Sequence, residues 1–391
     1  MRFPRLLPVT MLAVGALALV GCASDSSPSG ATATATATAE PRATATPTPT
    51  VDATEAWVAE RVAAMTVAEK AAALLMLHAP GTDPGPIRAL LEQGTSGVIL
   101  MGDNIAGDAA SMHALTEALM VDPELVPLVA IDEEGGEVQR LDWDTAATAE
   151  ALRDAPPADT TAAFAARSAS VAAGGANVNF GVIADVTADP DSFIAGRVLG
   201  TEPQAAADRV AAAVAGERGV VATTLKHFPG HGAAPGDSHS SIPSAPLDLA
   251  AWRAGPALPF AAGIDAGAEL VMTGHLAYPA IDPAPASLSP EWHRILRDEL
   301  GFDGVVVTDD MLMLQHNGLP EYADPGENAV RAIAAGSDLL LYVLPADPSE
   351  FGISVDGLVG AIGAAVSSGR IPEARLDDAV TRVLTLRREL S

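Results

Sequence analysis

The chain has 391 residues, 49% of them hydrophobic and only 4% aromatic, with a formal net charge of −28 at pH 7. A surface this acidic repels phosphates and anionic headgroups, which argues against nucleic acid as a partner and against electrostatic attachment to a membrane. A single cysteine rules out an intrachain disulfide and a cysteine-rich metal site.

Residues 1–21 begin with Met1-Arg2-Phe3-Pro4-Arg5 and then run apolar from Leu6 to Val20. That is a positive n-region followed by an apolar stretch too short to span a bilayer comfortably, the pattern of a secretory signal. The segment ends in Leu19-Val20-Gly21-Cys22, which resembles a bacterial lipobox, and the sole cysteine stands at the cleavage point. The expectation is a signal peptide over 1–21 and a lipidated Cys22 holding the protein outside the cytoplasmic membrane, so that it meets the membrane only through its lipid. Cleavage would remove Arg2 and Arg5 and no acid, leaving a charge of about −30. Residues 22–52 are rich in Ser, Thr, Ala and Pro, cannot bury a core, and read as a tether. The folded domain is expected over 53–391.

Thr66 followed by Glu69 is a capping-box pattern that opens a helix. Beyond it, eight short apolar runs read as buried strands: 73–77, 97–100, 128–132, 178–185, 221–227, 270–275, 304–309 and 339–343. Ala-rich stretches with helical spacing, such as 205–215 and 329–335, lie between most of them. Strand and helix in alternation imply parallel strands joined by right-handed crossovers. Eight such units in about 340 residues predict an α/β fold, a single (β/α)8 barrel. No Gly-x-Gly-x-x-Gly follows the first strand, which weakens the alternative of an open dinucleotide-binding sheet. Asp132, His227, His275 and Asp309 end strands, and in a barrel such ends converge on one face.

Three segments carry the chemistry. The first is Lys226-His227-Phe228-Pro229-Gly230-His231-Gly232, followed by Asp237-Ser238-His239. Its proline and glycines forbid a long helix, so it reads as a structured loop after a strand. His227 and His231 have no His-Glu-x-x-His helix between them, and neither metal nor cofactor is expected. A carboxylate beside an imidazole fixes its tautomer and favours the protonated ring, which makes Asp237 and His239 a candidate proton-transfer pair. The second segment, Val305-Val306-Val307-Thr308-Asp309-Asp310, brings two adjacent acids to a strand end. One can be a nucleophile while Asp310 caps the next helix. The third, Asp132-Glu133-Glu134-Gly135-Gly136-Glu137-Val138-Gln139-Arg140, combines acids, two glycines and an arginine that could hold sugar hydroxyls.

Together these segments resemble glycoside hydrolase family 3, and within it the single-domain β-N-acetylglucosaminidases. The resemblance runs from about residue 53 to the end. It implies that Asp309 is the nucleophile of a retaining mechanism and that His239, oriented by Asp237, is the acid/base. It also implies that Asp132, Arg140, Arg197, Lys226 and His227 grip the terminal sugar. Glu137 departs from the family pattern, in which arginine is common at that place. The expected activity is an exo-β-N-acetylglucosaminidase, acting as a monomer on carbohydrate, namely peptidoglycan fragments. Three alternatives remain beside it: a β-glucosidase, β-xylosidase or broad hexosaminidase of the same family, a catalytically idle sugar-binding lipoprotein, and an enzyme in which phosphate replaces water.

Overall fold

The capping box at Thr66 forms as expected. The Thr66 backbone N–H donates to Glu69 Oε2 at 2.7 Å and the Glu69 N–H donates to Thr66 Oγ1 at 3.3 Å, opening the helix Val67–Ala72. The computed structural model describes residues 53–391; the signal peptide, Cys22 and the tether read from the sequence lie outside the described residues.

All eight expected strands are present: β1 (Leu75–Leu77), β2 (Gly97–Leu100), β3 (Leu128–Ile131), β4 (Val178–Ile183), β5 (Ala222–Phe228), β6 (Leu270–Thr273), β7 (Val305–Thr308) and β8 (Leu340–Tyr342). Every pairing between neighbours is parallel, and the order runs β7-β6-β5-β4-β3-β2-β1-β8. The ring closes between β7 and β8, where Val307 bridges Leu339 and the Met311 N–H donates to the Leu341 carbonyl at 2.8 Å. The fold is a single (β/α)8 barrel. The two Ala-rich stretches lie in the helices Pro203–Glu217 and Pro325–Ala335.

Strand residues alternate between two environments, as a closed barrel requires. Leu128, Ala130, Leu270, Met272, Val305 and Val307 fall in one buried cluster, whereas Val129, Val271 and Val306 pack elsewhere with helix residues. β2 matches its apolar run and β5 is only shifted by one residue, but the other six strands are shorter than their runs suggest. Ala73 caps a helix, and Asp132, Asp185, His275 and Asp309 lie just past the last ladder residue. There the side chain begins to supply the hydrogen bonds, and that change of bonding partner has no hydrophobic signature.

The register shifts on β4–β5 and again on β5–β6, toward the C-terminal end of β5. Such irregularities redirect side chains and recur beside active sites. Five of the few aromatic residues gather behind this strand end. Phe228 meets Trp252, Phe260 and Trp292 edge-on at 5.3–6.1 Å, and Tyr278 packs on Trp292 at 5.2 Å. Edge-to-face geometry is the favoured one for such rings and adds about 0.5–1.5 kcal/mol per pair to the burial itself. Two of these rings also bind backbone. Trp252 Nε1 donates to the Pro229 carbonyl at 2.8 Å and the Tyr278 hydroxyl donates to the Gly230 carbonyl at 2.6 Å. The histidine-rich segment is thus nailed to the barrel from behind.

Candidate active site

Beyond β3, consecutive side chains alternate in direction. Asp132 and Glu134 face the barrel mouth, and Glu133 between them turns the other way. Its Oε2 accepts from the Arg140 and Leu141 N–H groups at 2.7 and 3.0 Å, tying the far end of the loop to its start. Burial pushes the Glu133 carboxyl up to about 7. Asn179 of β4 clamps the same residue by its backbone. It accepts from the Glu133 N–H at 3.1 Å and donates to the Glu133 carbonyl at 3.0 Å, while its amide also donates to buried Glu217 at 2.6 Å. A Cβ on Gly181 would stand 2.2 Å from that amide nitrogen, so the clamp requires glycine there.

Lys226 enters from β5 and meets both mouth-facing acids, with Nζ 2.6 Å from Asp132 and 2.8 Å from Glu134. Arg197 forms a forked pair with Glu134 at 2.7 and 2.8 Å. Arg140 stands 3.8 Å from Asp132. Burial opposes the Glu134 charge, but Lys226 and Arg197 outweigh it and hold that carboxyl at about 2. The result is a preorganised polar floor whose donors and acceptors are aimed before any substrate arrives.

His227 and His231 share one buried carboxylate. Asp185 Oδ2 accepts from the His227 N–H at 3.1 Å and lies 2.8 Å from His227 Nδ1, while Oδ1 accepts from the His231 N–H at 2.5 Å. With Nδ1 engaged, His227 Nε2 is free to face the cavity.

Asp309 follows β7 directly. Its Oδ1 accepts from the Asp310 N–H at 2.8 Å. Burial works against the Asp309 charge, but His227 and His275, the Asp310 N–H and Lys226 together keep its carboxyl below the ordinary value. The two adjacent acids part ways, as their positions suggest. Asp310 Oδ1 accepts from the Leu312 and Val343 N–H groups at 3.0 and 2.9 Å, which starts the helix Leu312–His316 and ties β7 to β8. Burial pushes the Asp310 carboxyl up to about 7. An ionised carboxylate facing the cavity therefore stands beside a structural one.

His239 arrives on the loop after the histidine-rich segment. Its Nδ1 lies 2.7 Å from Asp237 Oδ1, which also accepts the His239 backbone N–H at 2.9 Å. Hydrogen bonds from His239 outweigh burial and lower the Asp237 carboxyl. The pairing makes Nδ1 the protonated nitrogen and leaves Nε2 for substrate.

Asp132, Arg140, Arg197, Lys226, His227, His239 and Asp309 line one cavity of about 270 Å³, and Asp237 stands behind His239. A larger cavity of about 480 Å³, between the first helices and Arg387, contains none of these groups. His275 differs from its expected place at the mouth. It is buried, with Nδ1 2.7 Å from Ser287 Oγ and Nε2 2.9 Å from the Asp310 carbonyl, so it braces the Asp309 segment and does not line the cavity. The residues not singled out from sequence are Glu134, Asp185, His231, Asn179 and Phe193. Strand alternation applied past Asp132 would have found Glu134, and Asp185 closes an apolar run as Asp309 does. Nothing local marks Asn179. Among the described residues, no group of three or more His, Cys, Asp or Glu is arranged to hold a metal ion.

Residues 66–386 match the family model described as glycosyl hydrolase family 3 N terminal domain. A beta-hexosaminidase of Stenotrophomonas maltophilia is 33% identical over 327 residues, covering 75% of this chain and 92% of that protein. A family 3 beta-N-acetylglucosaminidase from Paenibacillus superposes with a TM-score of 0.76 at 33% identity, covering 84% of this chain. The chain spans 63% of that structure's length. A beta-N-acetylhexosaminidase from Beutenbergia cavernae gives a TM-score of 0.71 at 33% identity, with 83% of this chain and 98% of that one covered.

Proposed function

The chain belongs to glycosyl hydrolase family 3 and is a glycoside hydrolase, and we propose that it is a retaining exo-β-N-acetylglucosaminidase. The observation that carries this reading is the meeting, in one cavity, of an ionised Asp309 with a histidine already backed by a carboxylate. In this mechanism a terminal N-acetylglucosamine settles on the floor, its hydroxyls held by Asp132, Arg140, Arg197, Lys226 and His227. Asp309 attacks the anomeric carbon, the bond from that carbon to the leaving oxygen breaks, and the proton on His239 Nε2 passes to that oxygen. Neutral Nε2 then takes a proton from water, whose oxygen displaces Asp309 and releases the sugar with its configuration retained. Most such enzymes use a second carboxylate for proton transfer; here the Asp237–His239 pair takes that place.

The substrate we propose is a peptidoglycan fragment ending in β-linked N-acetylglucosamine. It follows from the signal and lipobox pattern at Cys22, which would hold the enzyme outside the cytoplasmic membrane, beside that polymer. Release of nitrophenol from the β-N-acetylglucosaminide, β-glucoside and β-xyloside tests the reading. Strong preference for the first, abolished by Asp309→Ala in a folded protein, is expected. A preference for glucoside or xyloside would keep the mechanism and overturn the substrate. Activity that survives the substitution would overturn the nucleophile.

A further inference from the structure

The residues proposed above to hold one sugar form the floor of the cavity, and two further side chains, Phe193 and Glu137, line it at the rim. Phe193 is 40% exposed, one of the few large apolar side chains left in solvent, and it lines the cavity. Its ring lies 5.6 Å from His239, edge-on, and 5.7 Å from His231. Glu137 is exposed, lines the same cavity and has no cation within ion-pair distance among the described residues. Its carboxylate lies over the backbone of Gly196, where a Cβ would come within 1.9 Å of Oε1. The absence of a side chain at 196 is what lets Glu137 occupy this place beside Arg197.

Whatever leaves with the proton from His239 must depart past this rim. We propose that Phe193 and Glu137 form the seat of the leaving sugar and select one that carries no free carboxylate. The proposal rests on the glycosidase reading above and specifies its substrate class. An aromatic ring beside the proton donor offers the apolar face that a pyranose stacks on. The charge argument is independent of the stacking. The cavity's cations already face acids: Lys226 meets Asp132 and Glu134, Arg197 meets Glu134, and Arg140 faces Asp132. The rim adds Glu137 and Asp237, both acidic, and the chain as a whole carries −28. A leaving sugar with a free carboxylate meets repulsion, whereas a neutral acylamino sugar, or one whose acid is capped as an amide, does not.

The test compares four substrates: the fluoride of N-acetylglucosamine, whose leaving group is too small to reach the rim, and three disaccharides with N-acetylglucosamine at the non-reducing end. The leaving sugars are N-acetylglucosamine, N-acetylmuramic acid with a free lactyl carboxylate, and the same sugar with the lactyl group as an amide. For the unaltered protein, kcat/KM for the two neutral disaccharides should exceed that for the acid about tenfold, and added salt should narrow the gap. Glu137→Gln should bring the three within about threefold, and Glu137→Lys should invert the order. Phe193→Ala should lower kcat/KM on all disaccharides about tenfold with the fluoride unchanged, and Phe193→Trp should restore it. If Phe193→Ala lowers the fluoride and the disaccharides alike, Phe193 only holds His239 in place and the stacking role is wrong. If the unaltered protein prefers the acid, or Glu137→Gln leaves the ratio unchanged, the charge selection is wrong. Turnover of the fluoride by the unaltered protein separates either failure from failure of the glycosidase reading itself.

Discussion

At the floor of the cavity Lys226 is 3% exposed and bonded to two acids from another strand end, with an aromatic cluster packed behind its strand. At the rim His239 keeps 62% of its side chain in solvent and is oriented by Asp237, only two residues away. The floor is therefore held by long-range contacts that fold the barrel, and the rim by a local turn that could be altered without disturbing it. A rigid floor suits a nucleophile and hydroxyl-binding groups that must stay within a fraction of an ångström. An exposed rim suits a group that must give a proton and take one back while leaving sugar and water exchange past it.

Four substitutions bear on this contrast. Asp309→Ala should cut kcat by about 10⁴-fold or more, because the covalent route is lost, while the melting temperature changes little. Lys226→Met should act on both function and fold. It leaves half-buried Asp132 with only the more distant Arg140 and buried Glu134 with Arg197 alone, at a cost of about 3 kcal/mol in denaturant unfolding, and raises KM steeply. Equal stability of this variant and the unaltered protein would show that the floor is not built on that ion pair. Asp237→Asn should lower kcat about 10²–10³-fold by releasing the His239 tautomer, yet shift stability by less than about 0.5 kcal/mol. If Asp237→Asn unfolds the domain, the rim is not local.

The smallest effect lies deeper, behind the floor. Burial pushes Glu217 up to about 7 from 4.5, and its Oε2 has no hydrogen-bond partner. The folded state therefore holds a proton that the unfolded state gives up between about pH 4.5 and 7, so this group's contribution to stability falls as pH rises through that window. Glu133 and Asp310, also raised to about 7, act in the same direction. Glu217→Gln should match the unaltered protein near pH 4.5 and exceed it by about 1–3 kcal/mol above pH 7, measured by urea unfolding. A difference that is flat with pH would mean that Glu217 is already ionised in the folded protein.

The sequence makes the barrel legible because the strands are short apolar runs and the crossovers are Ala-rich helices, and both periodicities are local. It makes most of the site legible for a related reason. Asp309 sits just past the end of β7, Lys226 lies two residues before the end of β5, and Asp237 lies two residues from His239. What stays hidden is what depends on two distant strands meeting. Asn179 reads as one polar residue inside β4, and only the β3–β4 pairing reveals that it grips Glu133 by both backbone groups. His275 shows the converse, since it ends a strand as Asp309 does but turns to Ser287 and the Asp310 carbonyl. Strand position locates a residue along the barrel axis without fixing which hydrogen bond its side chain will prefer.

The central claim is that Asp309 carries the sugar covalently while His239 moves the proton. An activated aryl N-acetylglucosaminide needs little help from an acid to leave, but the intermediate still needs a base to be hydrolysed. Mixed with His239→Ala and quenched, such a substrate should give a burst of released phenol and a protein heavier by one N-acetylglucosaminyl unit, with the added mass on the peptide containing Asp309. A burst with the label on another residue, or full hydrolysis by His239→Ala with no burst and no added mass, would contradict the account.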